Sequence, residues 1–361
     1  MYLPTLPAMG RWFDTSIANV QLGLATCIVG LAVGQLIFGP LSDKYGRKTV
    51  LLASLILFIG ATVISLFSTS IEMFNTCRFF QGLGGAGGVV LSRAVATDCY
   101  TGNDLAKALA IIGAINGVAP VVAPVIGGMF AESIGWKGIF TVLAIVGAVL
   151  VAMTMILKES LDIPDRHKGS LRTLFLKAKV LFHNRPYLRW TLVFGMANAI
   201  LFSYISTSSF IIQQQYGLSE LRFSLLFAVN AAGIVLGSIC ALKFHQLRNA
   251  SRIGCAGALA MGLLQFASLY LDLGLWGYEI LSFCTLFCVG LIFPSATTLA
   301  MNHGRDAIGW AAAIVGAFGF LCGGIVTPLV GLGDISVSTF TSITICAAIG
   351  LTASLLHSPQ K

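Results

Sequence analysis

The sequence predicts an all-α polytopic membrane protein with about eleven full transmembrane helices. Three observations carry this. The 361 residues are 57% hydrophobic, with a mean hydropathy of +0.88. Only 10% are charged, against about 25% in an ordinary soluble domain. The apolar residues fall in runs near the length of about 20 that a helix needs to cross the hydrocarbon layer.

In chain order the runs cover approximately 18–40, 50–69, 73–95, 107–130, 138–157, 188–210, 221–242, 253–271, 278–301, 308–330 and 338–356. None shows the alternation of a membrane barrel strand. A helix satisfies its own backbone groups in lipid, so each run reads as a helix. No Asp or Glu falls centrally in any of them.

The net charge of +8 would raise nucleic acid as a partner in a soluble chain, but its distribution points to a membrane instead. Alternating the runs across a bilayer puts 17 of the 22 Lys and Arg on one side, with Lys44, Arg47 and Lys48. The other side keeps Arg11, Lys137 and Arg222, while Arg78 and Arg93 stay within a run. The acids divide seven to each side. Cations set topology, so the basic loops and the C-terminus are expected in the cytoplasm.

The basic segment 158–187 interrupts the runs and divides the chain into an N-terminal bundle, 1–157, a cytoplasmic central loop, and a C-terminal bundle, 188–361. Within the loop, Arg172–His183 reads as a short amphipathic surface helix. The halves echo each other. Gly113-Ala-Ile-Asn-Gly117 leads to Pro124-Val-Ile-Gly127, and Gly316, Gly319 and Gly323 lead to Pro328-Leu-Val-Gly331. Such an echo is a mark of duplicated transporter halves.

Within this frame a few residues stand out. Gly39-Pro-Leu-Ser-Asp-Lys-Tyr-Gly-Arg-Lys48 reads as a tight charged loop. Gly39 and Gly46 allow close turning, Asp43 can pair with a neighbouring base, and Arg47 and Lys48 can meet acids or helix C-termini. Such a group can act as a conformational latch that holds one of two states. Arg78, with Gln81, is a buried charge expected to serve proton coupling, an ion pair or a substrate counter-ion, or else to snorkel to the headgroups. Gly84 and Gly88 form a packing face on the same helix. Arg93 and Asp98 are interfacial charges, with pairing to the Asp43 loop expected. Gly113, Gly117, Pro120, Pro124, Gly127 and Gly128 make a bent, closely packed hinge.

Gln21, Gln35, Asn116, Asn198, Tyr204, Ser206 and Asn230 are cavity candidates, each able to serve equally as interhelical glue. Phe202 and Phe210 would suit a lipophilic ligand. The nine cysteines and five histidines show no metal spacing, and Cys284 and Cys288 read as packing residues. No metal site is expected. Nor is an enzyme: no paired acids, HExxH or nucleophile motif lies in the runs.

The Gly39–Lys48 pattern, G-x-L-x-D-x-x-G-R-K, resembles the signature loop of the major facilitator superfamily. With Met1-Tyr-Leu-Pro-Thr-Leu-Pro7, the R-x-x-Q-G-x-G at Arg78, the antiporter-like Gly113–Gly128 stretch (Ala123 replacing a usual Gly) and Trp136-Lys-Gly-Ile-Phe140, the chain resembles the superfamily's Bcr/CflA drug-resistance group, which includes the bicyclomycin resistance protein. The resemblance implies two pseudo-repeated bundles of six helices. It implies a monomer in the bacterial inner membrane that exports small lipophilic drugs or metabolites by proton antiport and alternating access. The proton gradient would be the energy source, with no cofactor.

It also implies a first helix with an outer acid just before Met1. Met1–Met9, with Pro4 and Pro7 as helix breakers, reads as the outer end of that helix and the following loop, so the chain is expected to be N-terminally shortened. The alternatives are a truncated, transport-impaired homologue and a proton-linked metabolite uptake transporter.

Overall fold

The computed structural model describes residues 1–162, 166, 179–271, 273–304 and 308–356; for residues 102, 103, 106, 109, 110, 113, 114, 116–118, 120, 121, 270, 308 and 309 it describes the helical backbone alone. The described residues form helices and no strand. In order these are α1 (Leu6–Trp12), α2 (Ile17–Tyr45), α3 (Arg47–Leu66), α4 (Ile71–Cys99), α5 (Gly102–Ile156), α6 (Arg185–Phe210), α7 (Glu220–Ala241), α8 (Leu247–Leu271), α9 (Gly274–His303), α10 (Ile308–Leu329) and α11 (Ile335–Leu355). A 3-10 turn, Leu3–Thr5, precedes α1, and α6 runs into a π-helical turn, Ile211–Gln215. Short polar residues start many of them. Ser16, Ser70, Asn184, Ser219 and Asp334 each accept a bond from the backbone N–H three residues on, which satisfies a donor the helix leaves open.

Nine of the described helices are long and apolar enough to cross a membrane. The difference from eleven runs has two physical sources. Helix α4 carries Glu72, Arg78, Arg93 and Asp98, which dilute its hydropathy; its 29 residues still extend about 43 Å, more than the hydrocarbon thickness. The runs 107–130 and 138–157 share the stretch α5 but are two helices that meet at a kink at Gly135, whose φ of 60° and ψ of −173° lie outside helical space.

Helix α4 packs between α2 and α3, and α3 packs on α5. In the rest of the chain α9 packs on α6, α7 and α8, and α11 on α6 and α8. The two sets meet where α2 packs on α10 and α5 on α7. Glycines permit the tightest crossings. A Cβ on Gly82 would lie 1.9 Å from the carbonyl oxygen of Cys27, and one on Gly237 would lie 2.1 Å from that of Phe287. Neither helix pair could close with a larger residue there.

Several expectations need correction. Gly39–Lys48 is almost wholly helical: α2 continues through Pro40 and Asp43 to Tyr45, and Gly46 alone breaks the chain, at φ +96°. Met1–Met9, expected as the outer end of a helix and the loop after it, runs through a 3-10 turn into α1. Pro4 and Pro7 sit in the first positions of the 3-10 turn and of α1, where a missing N–H costs nothing. Tyr2, Leu6 and Met9 are buried in the core with Phe74, Phe140 and Phe223. On α4, a Cβ on Gly88 would face open space, and Gly84 and Gly87 make the close face against Ser54 of α3. Most of Arg172–His183 lies outside the described residues, and only 179–183 are seen, as helix.

Candidate functional site

Three polar assemblies stand out against the apolar background. The first joins the ends of α2, α3, α4 and α5. Arg47 Nε donates to Asp98 Oδ2 at 2.9 Å, and Arg47 NH1 to Ser42 Oγ at 2.6 Å and to Asp43 Oδ1 at 2.5 Å. The Arg47 and Asp98 side chains are only 11% and 15% exposed, which strengthens their attraction relative to a surface pair. Glu159, just beyond α5, accepts from the Arg47 N–H at 2.8 Å and the Lys48 N–H at 3.3 Å, so a carboxylate caps the positive end of α3. Lys48 Nζ donates to the Met155 carbonyl at 2.8 Å, the matching cation at a helix C-terminus. Ser160 Oγ donates to Asp98 Oδ2 at 3.1 Å.

Gly46 has no room for a side chain, since a Cβ there would lie 2.4 Å from Glu159 Oε2. Gly39, Asp43 and Arg47 also border a cavity of about 230 Å³ with Gln35 and Trp310, which brings the cluster to the first turns of α10. Arg93 is exposed and forms no ion pair among the described residues.

The second assembly surrounds Arg78, which is 6% exposed and therefore does not snorkel. Its Nε donates to the Gly23 carbonyl at 3.3 Å, and its NH1 donates to Gln81 Oε1. Gln81 Nε2 donates in turn to Thr62 Oγ1 at 2.7 Å. The guanidinium lies 4.4 Å from the Tyr2 ring centroid and 5.6 Å from that of Phe140. No carboxylate pairs with it among the described residues. Carbonyl, amide and aromatic faces compensate the buried charge, and the expected ion pair is not its solution.

Among the hinge residues, Pro124, Gly127 and Gly128 are buried. A Cβ on Gly127 would lie 1.8 Å from the Met1 carbonyl oxygen, and one on Gly128 would lie 2.1 Å from Ser224 Oγ of α7. The end of this stretch is thus a close-packed contact of α5 with the N-terminal turn and α7. Gly113, Asn116, Gly117 and Pro120 lie outside the described side chains.

The third assembly lies among α6, α7 and α9. Asn230 Nδ2 donates to Glu279 Oε2 at 2.5 Å and to Tyr204 Oη at 2.9 Å. Glu279 is 6% exposed. The sequence offered it as the second residue of the run at 278–301, and it counts there among the outer acids; α9 begins earlier, at Gly274, and buries it. The Tyr204 ring stacks on Phe227, centroids 5.6 Å apart. Both form one wall of a cavity of about 550 Å³, with Leu201, Ile234, Phe293 and Pro294.

The remaining cavity candidates divide. Gln21 Nε2 donates to the Ser206 carbonyl at 3.0 Å, joining α2 to α6. Asn198 bonds within its own helix, to the Phe194 carbonyl. Ser206 Oγ likewise bonds to Ser203, and Gln35 lies by the first assembly. Phe202 rests against Phe320, and Phe210 is in the core. Tyr204 and Asn230 come together through their hydrogen bond, and Tyr204 lines the chamber; the other described candidates do not join them.

Comparison with known proteins gives a consistent result. Residues 1–357 match the model of the Major Facilitator Superfamily. The chain is 33% identical over 355 residues to the "Uncharacterized MFS-type transporter YdgK" of Bacillus subtilis, covering 97% of this chain and 88% of that one. It is 28% identical over 342 residues to the "Bicyclomycin resistance protein homolog" of Haemophilus influenzae, covering 91% and 84%. Among solved structures, that of the D-xylose-proton symporter superposes with a TM-score of 0.75 at 15% identity, covering 97% and 91%.

Proposed function

Since the chain belongs to the major facilitator superfamily, and is a multi-pass membrane transport protein rather than an enzyme, we propose that it exports small lipophilic compounds across a bacterial inner membrane by proton antiport and alternating access. The observation that carries this reading is the chamber beside Tyr204. Its volume of about 550 Å³ falls within the range of drug-sized pockets, which are mostly apolar with a few placed polar groups. A stacked Tyr204–Phe227 pair is suited to flat, apolar molecules. A relative bearing a resistance name supports the same direction.

The Asp43–Arg47–Asp98–Glu159 cluster fits the latch of such a machine. It is a set of charge-assisted bonds across four helix ends, which domain rocking would open and reform. On this reading the basic ends of the helices face the cytoplasm and the chain works as a monomer, in the three segments 1–157, 158–187 and 188–361. Arg78 acts by fixing α4 against α2 and the N-terminal turn.

The superposition on a sugar symporter favours a second reading, uptake of a metabolite. A sugar needs several hydrogen-bonding groups, and the chamber wall contributes little beyond the Tyr204 and Ser238 hydroxyls, the latter already donating to the Gly290 carbonyl. The experiment is accumulation of ethidium and chloramphenicol in cells with and without the expressed chain, repeated with a proton uncoupler. Lower accumulation, restored by the uncoupler, supports export. Unchanged accumulation of both compounds contradicts it.

A further inference from the structure

Glu279 poses a problem of chemical accounting. Its Oε2 accepts one bond, from Asn230, while Oε1 has no partner among the described residues, and neither does Asn230 Oδ1. The groups around it are Tyr204 from α6, Asn230 from α7 and, on α9 itself, Tyr278 and Ser282. No lysine, arginine or histidine among the described residues acts on Glu279. A carboxylate within a membrane bundle and without a cation is costly, and such groups mark proton relays or ligand contacts. Packing alone would be served better by Leu or Met.

We infer that Glu279 is the proton-binding group of this transporter, and that Asn230 transmits its state to the Tyr204 hydroxyl on the chamber wall. This deepens the antiport reading and rests on it. With Glu279 anionic, the Asn230 amide spends its two N–H groups on Glu279 Oε2 and Tyr204 Oη, the arrangement observed. A proton taken from water onto Glu279 turns an acceptor into a donor. The new O–H finds its acceptor in Asn230 Oδ1 once that amide rotates by half a turn. The rotation puts Oδ1 where Nδ2 stood, so the Tyr204 hydroxyl turns from acceptor to donor, giving its O–H to Asn230 and leaving its lone pairs to the chamber. Proton release reverses each step, and no covalent bond other than the carboxyl O–H changes. The chamber thus has two surfaces, one in which Tyr204 offers a ligand its O–H and one in which it offers its lone pairs. A ligand that prefers either surface is coupled to the proton by that preference.

The test uses the purified full-length chain in lipid vesicles, with ethidium as the probe ligand. The infrared difference spectrum between acid and alkaline buffer is expected to show a buried carboxyl C=O band in the wild type. That band should vanish in Glu279→Gln and shift in Glu279→Asp. Asn230→Leu should keep the band at a new frequency, while Tyr204→Phe should abolish its response to ethidium. Ethidium-driven proton release should fall more than about tenfold in Glu279→Gln.

A band that persists unchanged in Glu279→Gln, or proton release retained by that variant, overturns the assignment. Should Glu279→Gln fail to fold, the shift in Glu279→Asp decides; an unshifted band overturns the proposal. A wild type whose band belongs to Glu279 but whose ethidium transport moves no protons refutes the antiport reading, leaving Glu279 a proton site without that role.

Discussion

Arg47 Nε and Asp98 Oδ2 stand 2.9 Å apart, which ties the first turn of α3 to the last turn of α4. The same guanidinium reaches Asp43 and Ser42 at the end of α2, so one side chain holds three helix ends. Arg47→Ala removes all three bonds and leaves Asp98 with only the Ser160 hydroxyl. Charge-assisted bonds contribute about 1.5–3 kcal/mol each, non-additively. We expect a loss of about 2–4 kcal/mol from the state observed. It would be read as a lower melting temperature in detergent and faster thiol labelling at the exposed Cys99. Arg47→Lys should recover less than half, because a single ammonium cannot reproduce the planar fork. Wild-type melting in Arg47→Ala would show that the cluster holds nothing.

Gly46 allows a sharper test of the same region. Its φ of +96° with ψ of 151° is open to glycine and strained for other residues, by about 1–3 kcal/mol. A Cβ there would also displace the Glu159 carboxylate from the α3 N-terminus. Gly46→Ala should therefore cost more than Glu159→Ala, which removes the cap, worth about 1 kcal/mol, and the partly exposed pair with Arg166 but adds no backbone strain. Comparing the two melting temperatures checks the order; the reverse order would contradict the geometry.

The fold was legible in the sequence because the property that defines it, apolar length, is local. The bounds of α6 to α11 fall within a few residues of the apolar runs that predict them. Glu159 and Glu279 were not legible, for different reasons. Glu159 sits in the charged stretch 158–162 and gains its role only when α5 returns its end to α3, a contact across more than 110 residues. Glu279 lies at the edge of an apolar run, where an acid is unremarkable; the signal was that Tyr278 and Glu279 are flanked by Leu275, Trp276, Ile280 and Leu281 with no turn residue beyond Gly277. Arg78 was legible as buried, but its compensation by Tyr2 and Phe140 depends on the fold of the N-terminal turn.

That compensation leads to a prediction about Arg78. Arg78→Ala leaves Gln81 Oε1 without its donor, removes one bond to the Gly23 carbonyl and leaves space beneath Tyr2. We expect a stability loss of about 2–4 kcal/mol together with loss of transport. Tyr2→Leu keeps the volume and removes the aromatic face, and should cost about 0.5–2 kcal/mol. If Arg78→Ala abolishes transport with an unchanged melting temperature, Arg78 acts directly in coupling and not through the packing of α4.

In the chamber, Phe227→Ala removes the partner of the Tyr204 ring and enlarges the space. Ethidium binding, followed by fluorescence polarisation, should weaken by about tenfold, equivalent to about 1.4 kcal/mol. Phe202→Ala, against Phe320 and outside the chamber lining, should change affinity by less than about threefold. Equal effects at the two positions would move the binding site elsewhere.

The central claim is export of lipophilic compounds coupled to protons, and vesicles reconstituted with the purified chain test it most directly. An imposed pH gradient, acid inside, should drive ethidium into the vesicles against its concentration gradient, with protons leaving in step, and an uncoupler, which lets protons leave without ethidium, should abolish the accumulation. Ethidium that merely equilibrates, with no proton movement above that of protein-free vesicles, would contradict the account.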